Sequence, residues 1–464
     1  MIFALSRMVL IMNILLFLFL AARSADLRVG AAAVKITPPP GVPLAGQYFD
    51  RGATAVHDDL YAKALVIEKE GVKVAIVSCD LVDIGTDLVP AVRKLAMKST
   101  GIPEDHIMVS ATHSHTGPVI PSPGNINSSQ GPVPAILTAY MTKLTGLICE
   151  SIKQANANLK PARISCGLGH EETISFNRRF FMKDGTVGWN PGKLNPMIIR
   201  PAGPIDPDVS VLYAETPEGR PVLTYVNFAL HLDIAGGLEI SADMPYTLSR
   251  ILGEVKGTGM ITMFTQGCCG NINHINVKTG GDQSGAAEAE RIGTVLAGEV
   301  IRTGTMLKPL NIDNISVKSE IVPLPLAEFS ENDLPWANDI ASKYGKPDAA
   351  PFMDMVKAFK ILELNDRKGK PIEAEIQVIA LGDSCAIVSL PGEIFTELGM
   401  YIKSRSPYPL TIVEELANVS VDYIPDMKAC LEGNYEPVSA RCAPGSGELL
   451  AKKAIEMLWE LKNN

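Results

Sequence analysis

Histidine is scarce in this chain, with seven in 464 residues, and charge is thin, Asp, Glu, Lys and Arg making up 20%. Beyond the first two dozen residues no hydrophobic run is long enough to span a bilayer, which argues against a stable membrane span in the mature chain. Nor is there a basic excess. The 51 acids outnumber the 42 bases, for a formal charge of −9, which argues against a nucleic-acid partner and against a surface drawn to anionic lipid. A lipid presented one molecule at a time stays open as a substrate. Low-complexity tracts, evident repeats and Pro/Gly/Ser-rich linkers are lacking, so one large domain over residues 25–464 is expected. The eight cysteines follow no zinc-finger spacing, and cysteine ligation of a metal is not indicated.

The long apolar run that is present lies at the start. Arg7 precedes Met8 to Ala22, and Ala22-Arg23-Ser24 offers small residues at a signal-peptidase spacing. Residues 1–24 therefore read as a signal peptide, and the product as periplasmic or secreted. Removing them deletes two arginines and no acid, taking the formal charge to about −11. In an exported chain cysteines can pair. Cys79, Cys149, Cys166 and Cys385 sit in apolar contexts and read as buried thiols, whereas Cys430 and Cys442 flank a Gly-containing loop and are the best candidates for a local disulfide. Cys268-Cys269 is an awkward geometry for a bond between neighbours. Sequons at Asn127, Asn314 and Asn418 are near chance for this length.

Strand-like runs alternate with helical ones. Ala62 to Leu81, Ser210 to Leu232 and Ala374 to Glu393 read as hairpins of alternating apolar strands, turning at Glu70-Gly71, at Pro217-Glu218-Gly219 and between the last pair of runs. Helical spacing marks Leu88 to Thr100, Ala135 to Ala155, Ser241 to Leu252, Ala286 to Gly304 and Gly447 to Lys462, and most of Ala327 to Asp366. Hairpins mixed with helices predict an α/β fold, a single catalytic domain with mixed sheets flanked by helices.

The chemistry gathers where apolar strands stop. In ATHSHTGP (Ala111 to Pro118) His113 and His115 lie two apart, so a strand continuing through the motif would point both imidazoles to one face. Such a pair can grip a metal, or divide its labour between metal and proton transfer; alone, it equally fits two polar residues at a strand exit. His231, Glu393 in LPGE and Tyr423 in SVDYIP end other strand-like runs. Two histidines, a carboxylate and a phenolic oxygen suit borderline-soft zinc, but spacing alone does not assemble them.

Several stretches taken together carry a resemblance: Ile36 to Gly46, Val56 to Val66, Cys79-Asp80-Leu81, ATHSHTGP, FNRR (Phe176 to Arg179), VNFALH (Val226 to His231), LPGE (Leu390 to Glu393) and the Tyr423/Tyr435 region. Across nearly its whole mature length the chain resembles the neutral/alkaline, non-lysosomal ceramidases, zinc amidohydrolases that split ceramide into sphingosine and fatty acid. The resemblance implies Zn2+ held by His113, His231, Glu393 and Tyr423. It makes His115 a substrate-binding or proton-moving group, and Tyr435 and Arg178 (or Arg179, in the neighbouring register) active-site residues that steady a developing oxyanion. Asp80 and Asp243 match the family pattern as supports for the ligands. His274 reads as a ligand or a loop residue, and His57-Asp58 as a catalytic dyad or a structural pair.

Two departures bear on the substrate. Where the family has a GDVSPN loop with an active-site serine, this chain has Gly270-Asn271-Ile272-Asn273-His274, so Asn273 can donate a hydrogen bond but cannot act as a nucleophile. Ceramidases proper also carry a C-terminal immunoglobulin-like domain, which a chain ending at Asn464 does not contain. The expectation is an exported zinc amidohydrolase acting on ceramide or a related N-acyl compound. Its alternatives are a zinc hydrolase of the same fold acting on another amide or ester, such as an acylated sugar or lipoamino acid, and a binding protein that retains the fold.

Overall fold

The computed structural model describes residues 27–49, 51–121, 133–346, 348 and 350–463. The expected signal peptide and the Asn127 sequon lie outside the described residues. The fold is α/β, with mixed sheets flanked by helices as the alternation of hairpins and helices predicts. Among the described residues no helix is long and apolar enough to cross a membrane.

Three sheets share one four-stranded plan. In the first, Arg28–Lys35 pairs antiparallel with Tyr61–Lys69, which forms a hairpin with Val72–Cys79, and Ile107–Ala111 adds in parallel. In the second, the same places are taken by Arg163–His170, Asp208–Glu215, Pro221–Phe228 and Ile261–Gln266. In the third they are taken by Ile315–Leu324, Ile372–Leu381, Cys385–Ser389 and Leu410–Glu414. A parallel pair needs a crossover, and a helix supplies it each time: Leu88–Thr100, Met244–Lys256 and Thr396–Arg405. A second long helix follows each unit, over Ala135–Ala157, Ala286–Thr303 and Ser446–Asn463. The sequence retains one trace of this threefold plan. Leu159-Lys160-Pro161 and Leu307-Lys308-Pro309 each lay a two-residue strand on the first strand of a unit, although no period is evident along the chain.

Each helix forms where its apolar residues fall on one stripe. In Leu88–Thr100, Leu88, Val89, Val92 and Ala96 are buried, and Gly101 closes the helix at φ 73°, a conformation that costs glycine no Cβ clash. The inner faces of the three sheets meet in one cluster that includes Ile76 and Met108, Tyr225 and Met263, and Ile387 and Ile412. Each outer face packs under its own pair of helices, as Val77, Val92 and Ile148 do in the first unit. Burying one such aliphatic side chain stabilises the fold by about 1.5–3 kcal/mol.

This packing lines up the carboxyl ends of three parallel strand pairs at one end of the molecule, the place where open α/β sheets put their ligands. A buried polar network ties the units together just beneath: Glu414 of the third accepts hydrogen bonds from Ser110 Oγ of the first and Tyr225 OH of the second. Asn418 also lies inside the protein, bonded to Val109 N, Gln377 and Ser389, so its sequon is a structural crosslink. The expected Cys430–Cys442 bridge is not formed, and all eight cysteines are free thiols. Cys79, Cys149 and Cys385 are buried as expected, whereas Cys166 is half-buried.

Candidate metal centre

His113 and His115 come together by a route other than continued strand. The strand ends at Ala111, and His113 adopts φ 75°, a left-handed turn that breaks the two-residue alternation. The turn is held by local bonds, with His113 N donating to Leu81 O and His115 N to Leu232 O. Arg51 clamps the loop by donating to the carbonyls of Ala45 and His115. Gly46, at φ 85°, lies so close to the His115 ring that a Cβ there would collide with it.

His231 follows the second strand of the second hairpin, and its ring meets the other two. His113 Nε2 lies 3.2 Å from His231 Nε2 and 3.3 Å from His115 Nε2. The three imidazoles offer ligand atoms all within 4.8 Å of one another and could hold a metal ion. Glu393, from the third unit, places Oε2 3.4 Å from His113 Nε2 and 3.9 Å from His231 Nδ1. Its short strand pairs in parallel with that of Tyr423, Glu393 opposite Tyr423. Tyr423 OH accepts a hydrogen bond from Arg178 Nη2 at 3.0 Å.

The donor set fits a borderline-soft divalent cation, since three imidazoles gather at one buried place with the Glu393 carboxylate beside two of them and the Tyr423 phenol beside Glu393. Glu393 Oε2 is buried with no hydrogen-bond partner, a state that a bound cation would relieve. Electrostatics point the same way. Burial, then the neighbouring His113, pushes His115 down to about 3. Burial, His113 and Arg178 hold His231 well below its ordinary value. Both rings are therefore neutral at pH 7, the form a metal needs. Burial also works against a charged His113, but Glu393 beside it wins and raises its pKa, and the same contact lowers that of Glu393 against burial.

The two arginines of FNRR divide. Arg178 faces the site, with Nε on Glu436 at 2.9 Å and its guanidinium 5.4 Å from the Tyr423 ring centroid. Arg179 turns away, to the other oxygen of Glu436 and to Glu432. Tyr435 is buried and its ring meets that of Tyr423 edge-on at 5.3 Å. Trp189 and Phe352 stack on the far side of Tyr435, so the 352–366 helix packs against the site wall.

Other expected residues stand back. Asn273 is buried, but its amide donates to Asn190 Oδ1 and its oxygen accepts from Ile275 N, which leaves it outside the lining of the cavity. His274 pairs with Asp233 at 3.2 Å. Asp58 takes hydrogen bonds from Ser241 and Ala242 besides its contact with His57, which makes it a loop anchor. Asp80 caps Tyr61 N, and Asp243 holds the backbone of Ile234, Ala235 and Met244, the loop after His231; no hydrogen bond joins either to a site imidazole. The groups that do touch the imidazoles were not legible in sequence: Val82 O at 2.8 Å from His113 Nδ1, and Cys269 Sγ at 3.8 Å from His231 Nδ1. A cavity of about 110 Å³ opens beside the imidazoles, lined further by Gln47, Tyr48, Asp83, Asp422 and Arg441.

No family model matches the chain, and neither does any curated protein. Solved structures do. The neutral ceramidase from Pseudomonas aeruginosa superposes with a TM-score of 0.72 at 18% identity, over 94% of this chain and 75% of that one. A ceramidase complexed with C2 gives 0.71 at 17% identity, over the same shares. At these identities the likeness establishes a shared fold.

Proposed function

We propose, from the neutral ceramidase fold that this chain shares, that it is an exported, zinc-dependent amidohydrolase cleaving the N-acyl bond of ceramide or a related N-acylated lipid. The observation that carries this reading is the gathering of His113, His115 and His231, with Glu393 Oε2 buried beside His113 and His231 and satisfied by no hydrogen bond. His113, His231, Glu393 and Tyr423 would hold the metal, with His115 beside them. Zinc bound there supplies Lewis acidity, polarising an amide carbonyl and lowering the pKa of water.

The chain's own residues supply position and proton traffic. His115, beside the metal donors, is placed to bind substrate or to pass a proton to the departing amine, although the burial that pushes it down to about 3 works against its holding that proton. Burial holds the Tyr423 phenol well above its ordinary pKa, and Arg178, with its charge against the phenol oxygen, partly offsets that shift. Because Glu436 grips that guanidinium from behind, the charge is placed before substrate arrives. Tyr435 and Trp189 form an apolar wall that excludes water from one side of the site.

The test is hydrolysis of a fluorogenic N-acyl-sphingosine by the purified chain lacking residues 1–24, with metal analysis and with a zinc chelator. Zinc near one equivalent and chelator-sensitive cleavage are expected. A folded, metal-loaded protein that leaves this substrate intact would turn the assignment to another headgroup. One observation favours that second reading: the cavity beside the imidazoles is lined by Asp83, Asp422 and Arg441, which suits a polar amine such as an acylated sugar or lipoamino acid. Assaying both substrate types side by side separates the two.

A further inference from the structure

We propose that Cys269 and Glu415 are positioning residues that hold His231 and Glu393 in register for the metal, an inference that rests on the metal-dependent reading above. His231 presents Nε2 to His113 and turns Nδ1 back toward the loop after Ile261–Gln266. Two acceptors face that Nδ1: Cys269 Sγ at 3.8 Å and Glu393 Oε2 at 3.9 Å. A carboxylate that ligates a cation has its oxygen committed, which leaves the sulfur as the partner of Nδ1–H. Fixing that proton fixes the tautomer and the ring plane, so the Nε2 lone pair is aimed before metal arrives.

The sulfur is itself held. Gln266 Nε2 donates to Cys269 Sγ at 2.9 Å, and the thiol donates to Glu415 Oε1 at 2.9 Å. The other oxygen of Glu415 accepts the amide N–H of Ile394 at 2.6 Å, the residue directly after Glu393. One carboxyl group therefore braces both metal-donor segments, one through the thiol and one through the backbone. Cys269, Glu415 and Gln266 are all fully buried. The backbone repeats the tie: Glu415 N donates to Gln266 O, and Gly270 N to Ile394 O. Gly270 packs so closely that a Cβ would sit 2.6 Å from Glu393 O. Cys269 Sγ lies on the Nδ1 side of His231, while Nε2 faces His113, and the sulfur is already engaged by Gln266 and Glu415, so the role of Cys269 is support and not ligation.

The test is the zinc dissociation constant of the mature chain, by competition with a chromogenic chelator, for wild type and four variants. Cys269→Ala and Glu415→Leu remove the brace; Cys269→Ser and Glu415→Gln keep a donor and an acceptor in place. Near-ultraviolet circular dichroism of the metal-free proteins reports folding. The expected result is a zinc affinity weakened about 10–100-fold by the first pair, with the native spectrum retained, and largely recovered in the second. Should Glu415→Leu fail to fold, the contrast of Cys269→Ala with Cys269→Ser decides. Folded Cys269→Ala that binds zinc as wild type does would overturn the proposal. So would an intense sulfur-to-cobalt band in the cobalt-loaded wild type that Cys269→Ser lacks, since it would make Cys269 a ligand. Wild type that binds no zinc would sink the metal-dependent reading itself, and this inference with it.

Discussion

Single residues decide whether the site is charged correctly. Among the described residues Glu393 is the one carboxylate within 4 Å of two of the imidazoles, and Glu393→Gln keeps its volume while removing its charge. The variant is expected to lose bound zinc and to lower turnover by more than about 100-fold, read by metal analysis and hydrolysis rate. Deeper in, burial pushes the Glu414 carboxyl from its ordinary 4.5 up to about 7. Between those values the unfolded chain releases the proton and the folded chain keeps it. Stability therefore falls as pH rises from about 4.5 to about 7, by of order 3 kcal/mol, and levels off above. Glu415, pushed by burial to about 8, adds to the same slope and carries it higher. Denaturant titrations across pH should show Glu414→Gln losing its part of that slope; an unchanged profile would mean that Glu414 is ionised in the fold.

At the scale of elements, the site is made by loops that leave parallel strand pairs, and their close approach sets the tolerance. The loop Cys268–Asn271 lies against Glu393–Thr396, with Thr396 Oγ1 donating to Cys268 O and Thr396 N to Asn271 Oδ1. Gly270→Ala pushes a methyl group into the Glu393 carbonyl, which cannot retreat without moving its side chain. The expected cost is about 1–3 kcal/mol in unfolding free energy, with weaker zinc binding, measured by chemical denaturation and metal competition. The helix Phe352–Asp366, part of the segment whose spacing predicts helix, reaches the site through Phe352, stacked on Trp189 at 5.5 Å and beside Tyr435. Phe352→Ala is expected to raise KM for an N-acyl substrate more than it lowers kcat, because it removes apolar wall and leaves the imidazoles alone. An equal fall in both kcat and kcat/KM would place the helix in the chemistry instead.

For the whole molecule, the donors arrive from three separate units: His113 and His115 from the first, His231 from the second, Glu393 and Tyr423 from the third. A metal held at their meeting point, as proposed, would crosslink all three sheets. Zinc at 100 times its dissociation constant should therefore stabilise the chain by about 2.7 kcal/mol, and a chelator should remove that gain. Thermal unfolding with and without zinc checks this, and a midpoint indifferent to the metal would argue that the units are not joined by it.

Much of this was legible along the chain. Apolar alternation marked the three hairpins, 3.6-residue spacing marked the helices that follow them, and the polar residues at strand ends marked His113, His115, His231, Glu393 and Tyr423, because these signals are local. Local pattern misled where a turn intervened: the two histidines of ATHSHTGP meet because His113 turns left-handed, not because a strand continues. Asn273 was expected to reach the site, yet its own Asx turn and Asn190 hold it. What only the tertiary structure decided is long-range. The threefold plan, the division of Arg178 from Arg179 around Glu436, and the brace from Cys269 and Glu415 join residues scores to hundreds of positions apart, by hydrogen bonds that leave no period or spacing in the sequence.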